Sequence, residues 1–309
     1  MKGLLALYVV RTDSMNHLRT ILFPIAFSMA ADSMASSVRE IAERFNSTIT
    51  ILNAFNALPE YFQGPLTDDR CCSKEEPSLP YSAALLELRD LQKERLETFT
   101  QNHFSGVRYS VRIEDGDPAM VIEWVAKHER TDLIMMPTRG LGRFRRLLLG
   151  SVTSKILHDT SVPLWTSIHQ PELSSASPHG CQSILCAVGM NQEDDVVFNA
   201  ARLFARAHNA SVCLLHIQSS ADLQDREALA QSIQHSFDLV CVGKEDRPSK
   251  NAHVRILDGG LSDGICRAAR EVGADLVIVG RGHLREHFAQ MWSHLYTIIR
   301  ESPCPVLSV

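Results

Sequence analysis

Two stretches of this chain carry the same pattern and decide how it folds. They read RIEDGDPAMVIEWVAKHERTDLIMMPTRG over residues 112–140 and RILDGGLSDGICRAAREVGADLVIVGRG over residues 255–282. One constant offset aligns four identical pairs: Asp115 with Asp258, Gly116 with Gly259, Ala126 with Ala269, and Asp132 with Asp275. Self-similarity at a fixed period is typical of a repeated supersecondary unit, so the chain is predicted to contain two copies of one fold.

The similarity continues upstream at a larger offset. ILFPIAFS from Ile21 matches ILCAVGMN from Ile184, and TITILN matches SVCLLH at the same spacing. The second half is therefore shorter than the first between its second strand and Arg255. The extra part of the first half falls at residues 60–80, whose Pro, Gly and charged residues predict a long loop. Two interpretations stay open for this loop, a lid over a ligand site and a simple excursion.

The repeat predicts a two-domain organisation. Its halves are expected at residues 19–170 and 182–309, joined by a Pro- and Ser-rich linker at 171–181 and preceded by an extension at 1–18. A chain of 309 residues is long enough for two cores. The apolar start MKGLLALYVV is shorter than the roughly 20 residues that a membrane span needs, and it has no signal-cleavage site before Arg11. We therefore expect a cytoplasmic chain that does not bind membranes.

Composition and charge narrow the class of protein. The chain is 45% hydrophobic and 22% charged, as in ordinary globular proteins, and its net charge of -5 gives no support to nucleic-acid binding through the overall field. Cys186, Cys213 and Cys241 lie in apolar runs, which is typical of buried reduced thiols. Cys71 and Cys72 have no ligand-spaced partner nearby, which favours an ordinary loop pair over a metal or redox site.

Short apolar runs alternate with longer amphipathic runs in each half. In the first half the strands are predicted at residues 20–25, 47–53, 107–114, 132–136 and 163–168. Such alternation predicts an α/β fold with helical crossovers, here two tandem Rossmann-like domains, each a five-stranded mainly parallel sheet flanked by helices. The run SFDLVCVG at residues 236–243 is compatible with a strand or with a helix end.

The helix after the third strand has clear sequence signals. Asp117 suits its N-cap and Pro118 its first turn. One apolar face is predicted from Val121, Ile122, Val125 and Ala126.

A ligand in an open parallel sheet binds beyond the carboxyl ends of the strands, where the strand order reverses. This rule brings together residues 24–28 after the first strand, 114–118 after the third and 137–153 after the fourth. The last segment, within MPTRGLGRFRRLLLGSVTSK, contains three glycines and leads into a helix near Ser151. A helix start offers free backbone N–H groups and a partial positive charge, so the segment predicts a phosphate site.

Gly140, nine further residues, and then Gly150 followed by Ser151 resemble the universal stress protein family, whose nucleotide-binding members carry G-x-x-G, nine residues, then G and Ser or Thr. The segments LLLGSVTSKILHDTSVPLW and IIRESPCPVLSV resemble that family's last helix and strand, so the resemblance covers both halves. It implies a five-stranded α/β sandwich, association through the last strands, and ATP in the nucleotide-binding branch. The binding residues that it implies are Pro24, Ile25, Ala26, Phe27, Pro137, Thr138, Arg139, Gly140, Arg143, Gly150, Ser151, Val152 and Thr153.

The first half departs from the family pattern at two positions. Ala26 replaces an acidic residue and Pro137 replaces the first glycine of the loop. The lost contacts weaken nucleotide affinity by about 30-fold to 2,000-fold. Four arginines, Arg139, Arg143, Arg145 and Arg146, could recover part of that loss through charge-assisted contacts or could simply be solvated. Ser151 could contact phosphate or only cap its helix.

The second half departs further. Gly280 keeps the place of the first glycine, but the later positions are filled otherwise: His283 at the second glycine, Trp292 at the place of Gly150, and Gly189 at the acidic position. We therefore expect no ATP there. The spacings of His283, His287 and His294 place them on one helical face, where a solvent-facing helix is favoured over a metal site.

Two functions follow from these residues. The first is a non-enzymatic stress-response protein with a residual ATP site in domain 1, for which weak ATP hydrolysis is left open. The alternative is an adaptor or signalling protein that dimerises and binds a protein partner whose identity the sequence does not give. A nucleotide-activating enzyme ranks last, because H-x-G-H and S-G-G-x-D-S are absent. The final strands, 163–168 and 305–309, are expected to pair as an intrachain pseudo-dimer, and a homodimer is a further expectation.

Overall fold

The computed structural model describes residues 17–55, 79–138, 149–167, 180–191, 194–218, 225–241, 252–281 and 288–309, with side chains described outside 79–85 and 288–292. Residues 19–178 form one compact unit, and residues 179–309 belong to a second. Most of the predicted extension and linker lies outside the described residues, as do Cys71 and Cys72.

The first unit is a parallel α/β domain. Its strands have the order β3-β2-β1-β4-β5, and every pairing within it is parallel. Its elements are β1 (Thr20–Pro24), α1 (Met29–Phe45), β2 (Thr48–Phe55), α2 (Leu79–His103), β3 (Tyr109–Asp115), α3 (Pro118–His128), β4 (Leu133–Pro137), α4 (Ser151–Asp159) and β5 (Leu164–Ser167). The strand order reverses between β1 and β4, which fixes the switch point of the sheet.

The second unit repeats this architecture, with the strand order β8-β7-β6-β9-β10 and parallel pairing. Its elements are β6 (Ser183–Ala187), α5 (Asp194–His208), β7 (Ser211–Gln218), α6 (Arg226–Cys241), β8 (Ala252–Asp258), α7 (Leu261–Glu271), β9 (Leu276–Val279), α8 (Phe288–Glu301) and β10 (Val306–Ser308). Strands β3 and β8 begin at equivalent places of the downstream repeat, and β1 and β6 do so in the upstream repeat, so the sequence repeat is a structural repeat. The predicted fold class is confirmed.

Apolar side chains of the central strands form the core of each unit. In the first unit Phe23 of β1 packs with Phe99 and Phe104, with ring centroids 6.3 and 6.0 Å from its own. In the second unit Phe198 and Phe237 lie edge to face, 5.5 Å apart. The contacts of Phe23 join α2 to the sheet, whereas the contact between Phe198 and Phe237 joins α5 to α6.

Helix α3 begins as predicted. The Asp117 side chain accepts a hydrogen bond from the Met120 N–H at 3.0 Å, and Pro118 occupies the first helical position. Ile122, Val125 and Ala126 are buried as predicted. Ala119 is buried as well, whereas Val121 is only half-buried, so the buried face includes Ala119 in place of Val121.

Strand bounds differ from the predictions by one or two residues. Strand β3 begins at Tyr109 and not at residue 107, because Gly106 has a φ of +90° and the Val107 N–H donates to the Phe104 carbonyl, which closes the turn after α2. Strand β2 extends to Phe55, since it pairs with β3 as far as Asp115.

The described part of the ambiguous run, residues 236–241, is the end of helix α6, and residues 242–243 lie outside the described residues. Phe237 and Cys241, four residues apart, are buried, and Leu239 between them is 57% exposed. Burial at an interval of four residues is helical, whereas a strand would bury alternate residues and therefore Leu239 as well. Cys186, Cys213 and Cys241 are buried reduced thiols, as predicted.

The repeated aspartates have a structural role. Asp132 Oδ2 accepts hydrogen bonds from the N–H groups of Arg19 and Thr20, at 2.8 and 3.0 Å. In the second unit Asp275 Oδ2 accepts from Gln182 and Ser183, at 2.7 and 3.0 Å. Both carboxylates hold the amino end of the unit's first strand, the edge opposite to the ligand edge.

Within the described part of the chain, no helix has the length and apolarity to cross a membrane.

Candidate functional site

The candidate site lies at the carboxyl edge of the first unit's sheet, where β1 and β4 are neighbours and the strand order reverses. The loop after β1, residues 25–28, and the start of α4 both follow strands that end there. Because β1 and β4 are parallel, both segments lie at the same edge of the sheet.

The loop after β1 is held by backbone and aromatic contacts. The Ile25 N–H donates to the Leu52 carbonyl at 2.8 Å, and Phe27 has a φ of +40°, which side-chain-bearing residues seldom adopt. The guanidinium carbon of Arg95 lies 4.5 Å from the centre of the Phe27 ring, a cation–π arrangement. Ala26, at the position where a carboxylate is expected, is exposed. The loop is thus shaped for the site but lacks the acidic side chain.

A buried amide beneath this loop escaped the sequence analysis. Asn53 is 4% exposed, and its Nδ2 donates to the Ile25 carbonyl at 3.2 Å. Its Oδ1 has no hydrogen-bond partner among the described residues. Its counterpart His216 uses Nδ1 in the same way, donating to the Val188 carbonyl at 2.9 Å. A polar residue inside the apolar run TITILNAF was the signal that could have identified it.

Gly150 directly precedes helix α4. It is the N-cap, with no side-chain cap, and the first intrahelical bond runs from the Ser154 N–H to its carbonyl at 2.8 Å. The N–H groups of Ser151, Val152 and Thr153 therefore have no intrahelical acceptor. Since Ser151 is the first helical residue, the alternative in which it only caps the helix is wrong. N–H groups at a helix start are the donors that bound anions use.

The two threonine hydroxyls have internal partners. Thr138 and Thr153 are each 3% exposed. Thr138 Oγ1 donates to the Ser167 carbonyl, and Thr153 Oγ1 donates to the Pro137 carbonyl, both at 3.2 Å. These bonds tie β4 to β5 and α4 to β4, so both hydroxyls hold the scaffold of the site. Of the other predicted residues, Arg139, Gly140 and Arg143 lie outside the described residues, as do Arg145 and Arg146.

One ion pair joins the helices beside the site. Lys155 Nζ in the second turn of α4 lies 3.2 Å from Asp117 Oδ1, and both side chains are about half exposed. The pKa of Asp117 is lowered, mainly by the hydrogen bond from the Met120 N–H and then by Lys155. The pair links the start of α3 to α4 and so supports the orientation of α4.

The second unit lacks a helix start at the corresponding place. Helix α8 begins at Phe288, so residue 292, the counterpart of Gly150, lies inside the helix. By the fifth helical residue the backbone N–H groups are used within the helix. The loop after β6 also offers fewer donors to a ligand. The Asp194 carboxylate accepts hydrogen bonds from the N–H groups of Gly189 and Asn191, at 2.9 and 3.1 Å. Burial raises the pKa of Asp194.

Of the three histidines that the sequence places on one helical face, the structure describes only the side chain of His294. His294 Nδ1 lies 2.8 Å from Ser262 Oγ, while His283 and His287 are outside the described residues. Across the part of the chain that the structure describes, no three His, Cys, Asp or Glu side chains converge as a metal site would require.

Both halves of this chain are similar to known proteins. The profile described as "Universal stress protein family" matches residues 17–166 and 180–309. A universal stress protein from Thermus aquaticus, encoded in the QAH/OAS sulfhydrylase 3′ region, is 27% identical over 147 residues, which cover 47% of this chain and 96% of that protein. A universal stress protein A-like protein of Arabidopsis thaliana is 31% identical over 84 residues, 27% of this chain and 48% of that protein.

A crystal structure gives the same result at the level of the fold. A universal stress protein from Archaeoglobus fulgidus superposes with a TM-score of 0.69 at 18% identity, covering 95% of this chain and 98% of that one. Both halves of the chain match the family profile, and each half has a five-stranded parallel sheet with its switch point between the first and fourth strands. The chain therefore belongs to the universal stress protein family, as a tandem member.

Proposed function

We propose that this chain is a stress-response protein that binds an adenine nucleotide weakly in its first domain and none in its second. The observation that carries the proposal is the start of α4, where the N–H groups of Ser151, Val152 and Thr153 have no intrahelical acceptor at the switch point of the sheet. Donors in this position stabilise phosphate through hydrogen bonds and the helix dipole. The second domain has its counterpart position inside α8.

The affinity is expected to be low. Ala26 offers no carboxylate, and the Gly150 N–H is already bonded within the chain. A hydrogen bond to a charged group is worth about 1.5 to 3 kcal/mol, so the loss of one weakens binding by about 10- to 150-fold. The ligand that fits is one whose phosphate can accept from several N–H groups at once.

The test is an equilibrium titration of the full chain with a fluorescent ATP analogue, displaced by unlabelled ATP. Two variants at one position, Gly150→Asp and Gly150→Asn, separate charge from structure. Gly150 has φ -59° and ψ 144°, which any residue can adopt, and Asp and Asn are equally good N-caps. Only Asp adds a negative charge at the helix start. We expect Gly150→Asp to abolish binding and Gly150→Asn to retain part of it.

A control variant lies at an unrelated helix start. Gly260 is the N-cap of α7, also without a side-chain cap, so Gly260→Asp adds the same charge in the second domain. It should leave the titration unchanged. Equal binding by the parent and by Gly150→Asp would show that the start of α4 is not the site. Release of phosphate in the same samples would detect hydrolysis, which we propose to be absent.

A specific observation favours a second candidate, the adaptor. The hydroxyls of Thr138 and Thr153 and the Gly150 N–H all bond within the chain, which leaves fewer donors for a ligand. The adaptor is supported if the parent shows no saturable binding at millimolar nucleotide and the Ala26→Asp variant does not restore it. The pairing of the two final strands stays a prediction in either case.

A further inference from the structure

Helix α3 exposes an apolar and aromatic stripe to solvent. Met120 is 64% exposed, Trp124 is 48% exposed, and His128 is exposed as well. The three follow at intervals of four residues, which places them on one face of the helix. The Trp124 ring stacks on His128 with centroids 4.1 Å apart, and the Arg112 guanidinium lies 5.4 Å from the Trp124 ring. The indole is thus held in place while about half of it stays accessible.

The repeat shows that the fold does not require this stripe. Helix α7 is the counterpart of α3 in the second copy and buries the corresponding positions, Ile265, Ala268 and Ala269. On its outer face the residues that correspond to Met120, Trp124 and His128 are Asp263, Arg267 and Glu271. All three are exposed, and Arg267 and Glu271 form an i,i+4 ion pair at 3.9 Å. A charged outer face therefore serves the same packing, so the stripe on α3 calls for another explanation.

The charges along α3 suit a second copy of the same helix. Asp117 lies before its first turn, and the exposed Lys127 and Arg130 lie at its end. In an antiparallel pair of α3 helices that cross at Trp124, Met120 faces His128 of the partner subunit, and the helix start that carries Asp117 lies beside the helix end of the partner, where the second copies of Lys127 and Arg130 lie. Opposite charges then meet at both ends and the aromatic rings meet at the centre.

The same pairing would fail for α7. Arg267 would meet Arg267 of the partner subunit, and Asp263 would meet Glu271 of the partner subunit. Each of these contacts joins like charges, which disfavours association. The chain thus carries one self-complementary helix and one self-repelling helix on the same scaffold.

We propose that α3 is a self-association surface, on which a second copy of the chain pairs antiparallel about a two-fold axis at Trp124. An isologous contact of this kind uses the same patch on both copies. A helix of 11 residues is about 16 Å long. Its contact is smaller than the roughly 800 Å² per partner of a standard stable interface. The dimer is therefore weak and concentration-dependent.

Sedimentation equilibrium of the full chain over a concentration series tests this surface. Trp124→Arg and Met120→Asp each introduce the residue that α7 carries at the same position, so both suit a helix. Leu239→Arg is the matched control, since Leu239 is a 57% exposed apolar residue on α6. We expect each α3 variant to raise the dimer dissociation constant by about 30-fold, the loss typical of replacing a central interface residue. The control should leave this constant unchanged.

The gain-of-function variant is the triple change Asp263→Met, Arg267→Trp and Glu271→His, which should add a second association step. Far-UV circular dichroism and thermal melting establish that each variant is folded, and Met120→Asp keeps the test valid if Trp124→Arg does not fold. A parent that stays monomeric throughout the series overturns the proposal. So does a dimer that both α3 variants leave unchanged, which would point to association through another surface.

Discussion

The backbone N–H of Gly150 donates to the carbonyl oxygen of Thr138, at 2.9 Å. This bond fixes the distance between the end of β4 and the start of α4 in the first domain. It also removes one donor from the set that a phosphate could use. The anion-binding capacity of the site then depends on the next three N–H groups, of Ser151, Val152 and Thr153, and on ligand contacts from the loop after β1.

Restoring the missing carboxylate should strengthen nucleotide binding. Ala26 is exposed, so Ala26→Asp does not bury an unpaired charge. One recovered hydrogen bond is worth about 0.5 to 1.5 kcal/mol, which corresponds to a gain in affinity of about 2- to 12-fold. Competition titration with ATP measures it, and Ala26→Leu is the control without hydrogen-bonding capacity. Equal affinities for Ala26→Asp and Ala26→Leu would contradict a ligand contact at residue 26.

The two repeated aspartates should contribute to stability and not to binding. Asp132→Ala leaves the N–H groups of Arg19 and Thr20 without their acceptor, and Asp275→Ala does the same for Gln182 and Ser183. We expect each change to lower the free energy of unfolding by about 1.5 to 3 kcal/mol, measured by urea denaturation. Asp238→Ala, at an exposed position on α6, is the control. A loss under about 0.5 kcal/mol, as at ordinary surface positions, would refute the structural role.

Substitution of the two repeated glycines should lower the stability of their domains by different amounts. Gly116 has φ +142° and Gly259 has φ +128°, values that side-chain-bearing residues seldom adopt. Alanine at either position should destabilise its domain by at least about 1 kcal/mol. Gly116→Ala should be the worse of the two, because its Cβ would lie 3.2 Å from Val121 Cγ2, whereas the Cβ at Gly259 meets nothing within 4 Å. Thermal unfolding of the two variants measures the order, and a reversed order would contradict the geometry.

Three cysteine thiols, two buried and one half-buried, should react slowly in the folded chain. Burial raises the pKa of Cys213 to about 11 and that of Cys266 to about 11, and it raises the pKa of Cys304 to about 12. The thiolate is the reactive form, and an ordinary thiol titrates near 8.5. Iodoacetamide labelling of these three should therefore still increase between pH 8.5 and pH 10, where an ordinary thiol levels off.

Mass spectrometry of the labelled peptides gives the rate for each cysteine separately. The urea-unfolded chain is the control, in which all three should react alike and level off near the ordinary value. Native labelling that levels off near pH 8.5 would show that the thiols are accessible to water and that burial does not set their pKa.

Several features of the domains follow from the sequence for local reasons. The alternation of apolar runs predicted the order of strands and helices along the chain, because side-chain burial in strands and helices repeats over two to four residues. Asp117 and Pro118 predicted the start of α3, since capping involves residues three apart. Trp292 at the place of Gly150 predicted that the second domain lacks the phosphate-binding turn. In the structure α8 begins at Phe288, so residue 292 lies inside the helix.

Other features depend on contacts between residues far apart in the chain. Only the folded structure shows that Asn53 holds the Ile25 carbonyl, that Thr138 bonds to Ser167, and that Asp194 takes the donors of Gly189 and Asn191. A side chain's residue type states what it can donate or accept, whereas its partner depends on which strands become neighbours. The sequence by itself determined the repeat, the element order and the altered site positions. Tertiary packing decided which of the remaining donors are free to meet a ligand, because each buried polar group bonds to whatever acceptor the fold brings beside it.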